Sequence, residues 1–295
     1  MAEMVVKVEE ASVPEEHPVR DFWYRYSRSK IAVVSLIFLA IVLVIAIAAS
    51  FLAPHNPFSG GRDALKPPGT PGYPLGTNHL GQDILSQLLY GARVSLLVGF
   101  SVALLSTVVG VIVGALAGFF GGWLDNILMR IAEFFQTLPR LVLALIIVAL
   151  FGSSLQGLVV VVAMLSWPQT ARVVRTGVQT VRSSAFVDAA RVAGMPPLHM
   201  IVREILPNVL ASISVVASLE VASAILAEAS LSFFGLGDPN FISWGGMLYQ
   251  AQAYLSRAWW MAVFPGVAIA LVVLAFNIMG DGLNDALNPR LKERS

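Results

Sequence analysis

The chain has no cysteine, which excludes disulfides, thiolate metal sites and cysteine nucleophiles together. Its histidines, at positions 17, 55, 79 and 199, form no HExxH pair, so the zinc-protease pattern is missing too. Lysine is rare, and Lys7, Lys30, Lys66 and Lys292 follow valine, serine, leucine and leucine. None therefore belongs to the Gly-Lys-Ser/Thr of a phosphate-binding loop. Charge is scarce in general, at 13% of residues, where a soluble domain carries about 25%. The chain is instead 57% hydrophobic, with a mean hydropathy of +0.76. Its main solvent is lipid.

A helix needs about 20 apolar residues to cross the hydrocarbon. Ile31–Leu52 meets this without a single charge, and further runs lie at about 95–119, 141–161, 209–229 and 261–279. A shorter run, 155–170, blends into the third, and the turn-like Phe151-Gly-Ser-Ser154 divides them. Six transmembrane helices are expected. Ala46-Ile47-Ala48 has the small-x-small look of a signal cleavage site, but the apolar run is too long for one and thirty residues precede it. An uncleaved anchor is the expectation.

With both termini in the cytoplasm, the outer segments hold only Arg62, Lys66, Arg93 and Arg257 of the 19 Lys and Arg residues. The inner segments hold Lys7, Arg20, Arg25, Arg28, Lys30, Arg130, Arg140, Arg172, Arg175, Arg182, Arg191, Arg203, Arg290, Lys292 and Arg294. That bias orients the chain and favours an even number of spans. Residues 1–30 read as a cytoplasmic tail ending in an interfacial helix, where Phe22, Trp23, Tyr24 and Tyr26 mix with cations. Residues 53–93 read as an outer segment rich in Pro and Gly, closed by an interfacial helix over 83–92. The five-helix core is expected over 94–280 and a cytoplasmic tail over 281–295. Trp167-Pro168 should kink or end the fourth span, and Pro139 and Pro265 should break helices.

One inner stretch suits a soluble partner. Ser183 or Ser184 can cap a helix that Gly194, Pro196 and Pro197 terminate. Phe186, Ala189, Ala190 and Ala193 recur at i, i+3, i+4, i+7, a stripe of mostly small residues, with Asp188 and Arg191 beside it. By pattern alone such a helix either packs on its own subunit or docks on another.

Asp188-Ala189-Ala190-x3-Gly194-x11-Leu206-Pro207 resembles the EAA loop of binding-protein-dependent ABC importers, with Asp in the Glu slot. Leu75-Gly-Thr-Asn-His-Leu-Gly-Gln-Asp83 and Leu89-Tyr-Gly-Ala-Arg-Val-Ser-Leu96 resemble the outer-loop signature of the dipeptide and oligopeptide permeases. Ala227-Glu-Ala-Ser-Leu-Ser-Phe-Phe-Gly-Leu-Gly237, Ser243-Trp-Gly-Gly-Met-Leu248 and Gly280-Asp-Gly-Leu-Asn-Asp-Ala-Leu-Asn-Pro-Arg-Leu291 are similar to the same subfamily, in the same order.

The resemblance implies an all-α, type I (MetI-like) permease fold and import of dipeptides or oligopeptides. It implies that Phe186, Asp188, Ala189, Ala190, Arg191, Ala193, Gly194, Leu206 and Pro207 form the contact with an ATPase. The implied partners are a second, homologous permease subunit, two ATPase subunits that hold the ATP and Mg2+, and an extracytoplasmic substrate-binding protein. Membrane lipid surrounds the chain and no nucleic acid is expected. Relatives that import nickel chelates, glutathione or oligosaccharides are the alternative. The match departs at Asn78, Gln82 and Gln87, where the family has Asp, Arg and Arg, so ionic roles there do not carry over.

Two other classes compete. Gly235-Leu-Gly-Asp238 matches the Gly-x-Gly-Asp of intramembrane aspartyl proteases, which need two carboxylates sharing a proton at membrane depth. No Asp of this chain falls well inside a span. A secondary transporter or channel fits the composition but needs no ATPase contact. Within the fifth span, Glu220 and Glu228 are candidate pathway groups; Glu228 reads first as a helix-end carboxylate bonded within the subunit, and Glu220 equally as a protonated or paired buried acid. Asn277 is expected to bond between helices.

Overall fold

The computed structural model describes residues 18–287, and every regular element among them is helical. Lys7, Arg290, Lys292, Arg294 and the two ends of the chain lie outside the described residues. The first helix, α1 (Pro18–Arg28), is fastened to α2 (Lys30–Leu52) by the Tyr26 hydroxyl, which donates to the Ala32 carbonyl at 3.0 Å. Along α2 only Ala32, Ser35, Leu39, Ala46 and Ala49 are buried, while Ile31, Val34, Ile41, Val44 and Ile47 point outward. A helix apolar all round with one narrow small-residue stripe suits lipid on most sides and another helix on one.

Residues 53–83 contain no helix, yet their backbone is well bonded. Thr77 N–H donates to the Lys66 carbonyl, Leu65 N–H to Asn78 and Gly61 N–H to Leu80, at 3.0, 3.0 and 3.1 Å. Trp260 Nε1 then donates to the Thr77 carbonyl, so the segment lies on the bundle as a fixed cap. Asp83 caps α3 (Ile84–Phe120) by accepting from Ser86 N–H at 2.9 Å. Helix α3 absorbs both the expected interfacial helix and the second span into one rod of 37 residues, about 55 Å long. The non-helical part of the outer segment therefore ends at Asp83.

The centre of the fold is the contact between α3 and α6 (Leu155–Arg182). Gly110, Gly114 and Gly118 form a ridge on α3 that meets Thr170, Ala171, Val174, Arg175 and Val178 on α6. A Cβ at Gly114 would run into the Ala171 carbonyl, so these helices touch backbone to backbone.

Between them, α4 (Gly122–Thr137) and α5 (Arg140–Phe151) meet at 82°. Pro139 forces Leu138 into extended backbone, which ends α4 there. The third span is thus a bent pair and not one helix over 141–161. Gly152, at φ 92°, turns the chain after Phe151, and Ser154 caps α6. Pro168 stays inside α6, which continues to Arg182, and Pro265 stays inside the last helix. Each proline removes one backbone bond, and packing on both sides carries the helix through.

The chain continues through α7 (Ala185–Val192), α8 (Pro197–Met200), a π-helical turn at Ile201–Ile205 and α9 (Leu206–Leu231). A second π turn, Ser232–Leu236, leads to α10 (Trp244–Ala251) and α11 (Trp260–Leu287), which runs past residue 280. Five segments are long and apolar enough to cross a membrane, and the α4–α5 pair makes a sixth. Asn277 donates to Val273 of its own helix at 2.9 Å, in place of the expected bond between helices.

Candidate functional site

Helix α7 projects from the end of the bundle where α6 stops and α9 starts. Only Val187 of its residues is fully buried, in a cluster with Val178, Met200, Ile205 and Val209. Ser184 takes the N-cap position, its carbonyl accepting from Val187 and Asp188 N–H. At the other end Gly194 adopts φ +79°, Gly194 N–H donates to Arg191 and Met195 N–H to Ala190, both at 3.1 Å. That closure uses the left-handed conformation glycine reaches without steric cost.

The structure divides the expected stripe. Phe186, Ala189 and Ala193 face outward, whereas Ala190 is half-buried and packs with Met195 toward Val187. Asp188 and Arg191 pair at 2.7 Å on the surface and, with Gln179, Arg182 and Ser183, line a hollow of about 340 Å3. Leu206 packs into the cluster beneath α7, and Pro207 is exposed in the first turn of α9, where its missing N–H costs nothing. Helix α7 thus hides one valine and presents an uncharged outward strip beside the Asp188–Arg191 pair.

Glu228 and Glu220 both lie inside the helix packing of this subunit, 1% and 3% exposed. Glu228 sits among hydroxyls, accepting from Ser232 at 2.7 Å and Ser95 at 3.4 Å, and Ser95 Oγ in turn accepts from Trp244 N–H. One carboxylate thus joins α3, α9 and α10. Glu220 has no such shell, and its Oε1 is buried without a partner.

Asn78, Gln82 and Gln87 converge in the capping segment. Asn78 Nδ2 donates to Gln82 at 2.7 Å and to Gln87 and Gln250 at 3.4 Å, and Gln87 Nε2 donates to Gln82 at 2.7 Å. Asn78, Gln82 and Gln87 therefore form one carboxamide network. Gln250 on α10 completes it and carried no signal in the sequence.

Asp238 has both oxygens engaged. Oδ2 accepts from Leu155 N–H, and Oδ1 accepts from the backbone and side-chain N–H groups of Asn240, all at 3.0 Å. It caps the start of α6 and forms a local turn.

Residues 110–293 match the family described as binding-protein-dependent transport system inner membrane component. Residues 17–68 match the N-terminal TM domain of oligopeptide transport permease C. The dipeptide transport system permease protein DppC of Escherichia coli (strain K12) is 45% identical over 294 residues, covering 97% of this chain and 98% of that protein. A di/tripeptide transport system permease protein DppC from Pseudomonas aeruginosa (strain UCBPP-PA14) is 40% identical, covering 93% of each. Among solved structures, an inward-facing MetNI methionine ABC transporter aligns with a TM-score of 0.59 and 20% identity, covering 70% of this chain and 98% of that one. At that identity the likeness bears on the fold alone.

Proposed function

Because the chain belongs to the inner-membrane components of binding-protein-dependent transport systems, we propose that it is one permease subunit of an ATP-driven importer of dipeptides. The substrate class is supported by the relatives named above, which are dipeptide and di/tripeptide permeases along nearly their whole length. In this reading the subunit pairs with a homologous permease to form the pathway. Two separate ATPase subunits hold ATP and Mg2+, since no Gly-Lys-Ser/Thr exists here to hold phosphate. A binding protein delivers peptide from outside.

The observation that carries the proposal is the outward face of α7. Phe186, Ala189 and Ala193 offer a strip that a groove on an ATPase can accept, and Val187 anchors it to the ends of α6 and α9. Motion of the ATPase then reaches two spanning helices through one buried side chain. Glu220 takes part in the route only when α5 moves away from α9, because a peptide cannot reach it in this conformation.

Ala189 is the probe of choice, since it is exposed while Ala190 supports the fold. Ala189→Trp overfills the groove and leaves the spans untouched. Overpacking of this kind costs about 1–3 kcal/mol, so ATP-dependent dipeptide uptake should fall by roughly fivefold or more. Membrane insertion should stay normal. Uptake at the parent rate removes α7 from the ATPase contact.

A further inference from the structure

A cavity of about 800 Å3 opens between α4 and α6, and Asn126, Arg130, Glu133, Arg172, Arg175 and Thr176 are in its wall. Its charges are unevenly matched. Asp125 takes Arg175 in a bidentate pair, at 2.5 Å from Nε and 2.6 Å from Nη2, and the carboxylate is 7% exposed. That pair is complete, and it ties the first turn of α4 to α6. Glu133 is instead shared by two guanidiniums, with Arg130 at 3.2 Å and Arg172 at 3.9 Å. Three guanidiniums face two carboxylates, and the fork donors of Arg130 and Arg172 are only partly used.

The position of this wall is informative. Glu133 lies one turn before the α4–α5 break, and Arg172 lies one turn after Pro168 within α6. These charges belong to the α7 side of the bundle and are open to water, the Arg130, Glu133 and Arg172 side chains being 85%, 47% and 47% exposed. A second hollow of about 420 Å3 shares Arg172 and Thr176 and continues past Thr180 to Ser212, toward the α7 end of the bundle. The two form a polar strip from the middle of α6 to its C-terminal end.

We propose that this cavity is a transient site for short zwitterionic peptides, lying on the inner part of the translocation route. The inference rests on the import function proposed above and names a place where cargo pauses. The peptide carboxylate meets the unspent donors of Arg130 and Arg172, and its ammonium meets Glu133. A volume of about 800 Å3 is within the range of small-ligand sites, roughly 300–1,000 Å3. Glu133 already holds both arginines, so a peptide exchanges one set of ion pairs for another and gains little net affinity. Weak holding is what a passage requires.

The parent lacks cysteine, which permits a direct test. Thr176→Cys places a thiol on the wall of the cavity in the complete transporter, studied in inside-out membrane vesicles without ATP. The rate of its modification by a small neutral methanethiosulfonate is followed with alanylalanine present, and again with N-acetyl-alanylalanine amide. Alanylalanine should slow modification severalfold, and the capped, uncharged analogue should not. Glu133→Gln and Arg172→Gln should each raise the alanylalanine concentration needed by about tenfold, the loss expected for one charge-assisted hydrogen bond.

Equal protection by both peptides, or none by either, overturns the site. Should Thr176→Cys fail to assemble, the same measurement at Asn126→Cys on the facing wall decides it. Protection is read without ATP, so it stands apart from the transport function. Missing protection in vesicles whose parent complex still imports alanylalanine removes the site and leaves the importer intact. Missing ATP-dependent import, with protection retained, counts against the importer alone.

Discussion

Glu220 and Glu228 stand two helical turns apart on α9, and burial treats them alike while hydrogen bonding does not. Glu228 has serine donors on two helices and an indirect link to Trp244. Glu220 keeps one oxygen unpartnered, a condition that costs about 1–3 kcal/mol at a buried group. Such a cost is tolerated where the group finds a partner in another conformation. The sequence identified both carboxylates, but it could not separate them, because Ser95 and Trp244, on other helices, reach Glu228 only on folding. The same limit hid Gln250, a common residue on a loop-side helix until it closes the network of Asn78, Gln82 and Gln87. If Glu220 joins the route when α5 swings aside, Glu220→Cys should react with a maleimide severalfold faster in one of two states, nucleotide-free or vanadate-trapped. Equal, slow labelling in both places it permanently inside the packing.

At the scale of elements, the bounds of α7 were legible, since its N-cap position and its terminating Gly194 are local features, whereas the stripe was not, because Ala190 turns inward. The bent pair was not. Residues 122–137 include Asp125, Asn126, Arg130 and Glu133, which lower the hydropathy of a helix that nonetheless lies against α6. A scan for apolar runs passes over a helix with one face on a polar cavity, and it attaches α5 to the run that follows. The ridge of Gly110, Gly114 and Gly118 was visible as spacing, yet only the approach of α6 gives it meaning.

The start of α6 depends on a distant loop through Asp238. Burial raises the tendency of that carboxyl to hold its proton. The hydrogen bonds from Asn240 and Leu155 outweigh this, and the group titrates below the ordinary aspartate range. A depressed pKa means that the ionised form stabilises the fold above the unfolded value, and that this stability is lost as pH falls through the folded one. Asp238→Ala should therefore lower stability by about 1 kcal/mol at neutral pH, as loss of a helix cap does. The difference from the parent should shrink as pH is lowered through the acidic range. Thermal unfolding of the complex in detergent, measured against pH, checks this, and a gap that stays constant denies the carboxylate its part.

For the whole molecule, the packing of α3 on α6 decides how often the chain crosses the bilayer. Val98 and Val102 of α3 share a cluster with Leu158 and Val162 of α6, and further along Gly110 meets Thr170 and Gly118 meets Val178. Positions increase together, so the two helices run parallel. A parallel pair must be joined by a segment that returns across the membrane, and α4 with α5 is that segment. The bent pair is thus a crossing despite its 82° angle. Six crossings put the start of α2, the end of α11 and helix α7 on one side of the bilayer, and the cap formed by residues 53–83 on the other. The excess of Lys and Arg on the α7 side is the argument for a cytoplasmic α7. A cysteine at Ser184 should then react with a membrane-impermeant maleimide only in inside-out vesicles, and one at Ser59 only in intact cells or right-side-out vesicles. Labelling of both from the same side would break the six-crossing path. Labelling with the sides exchanged would keep the path but turn α7 away from any cytoplasmic ATPase, and the coupling function would fall with it.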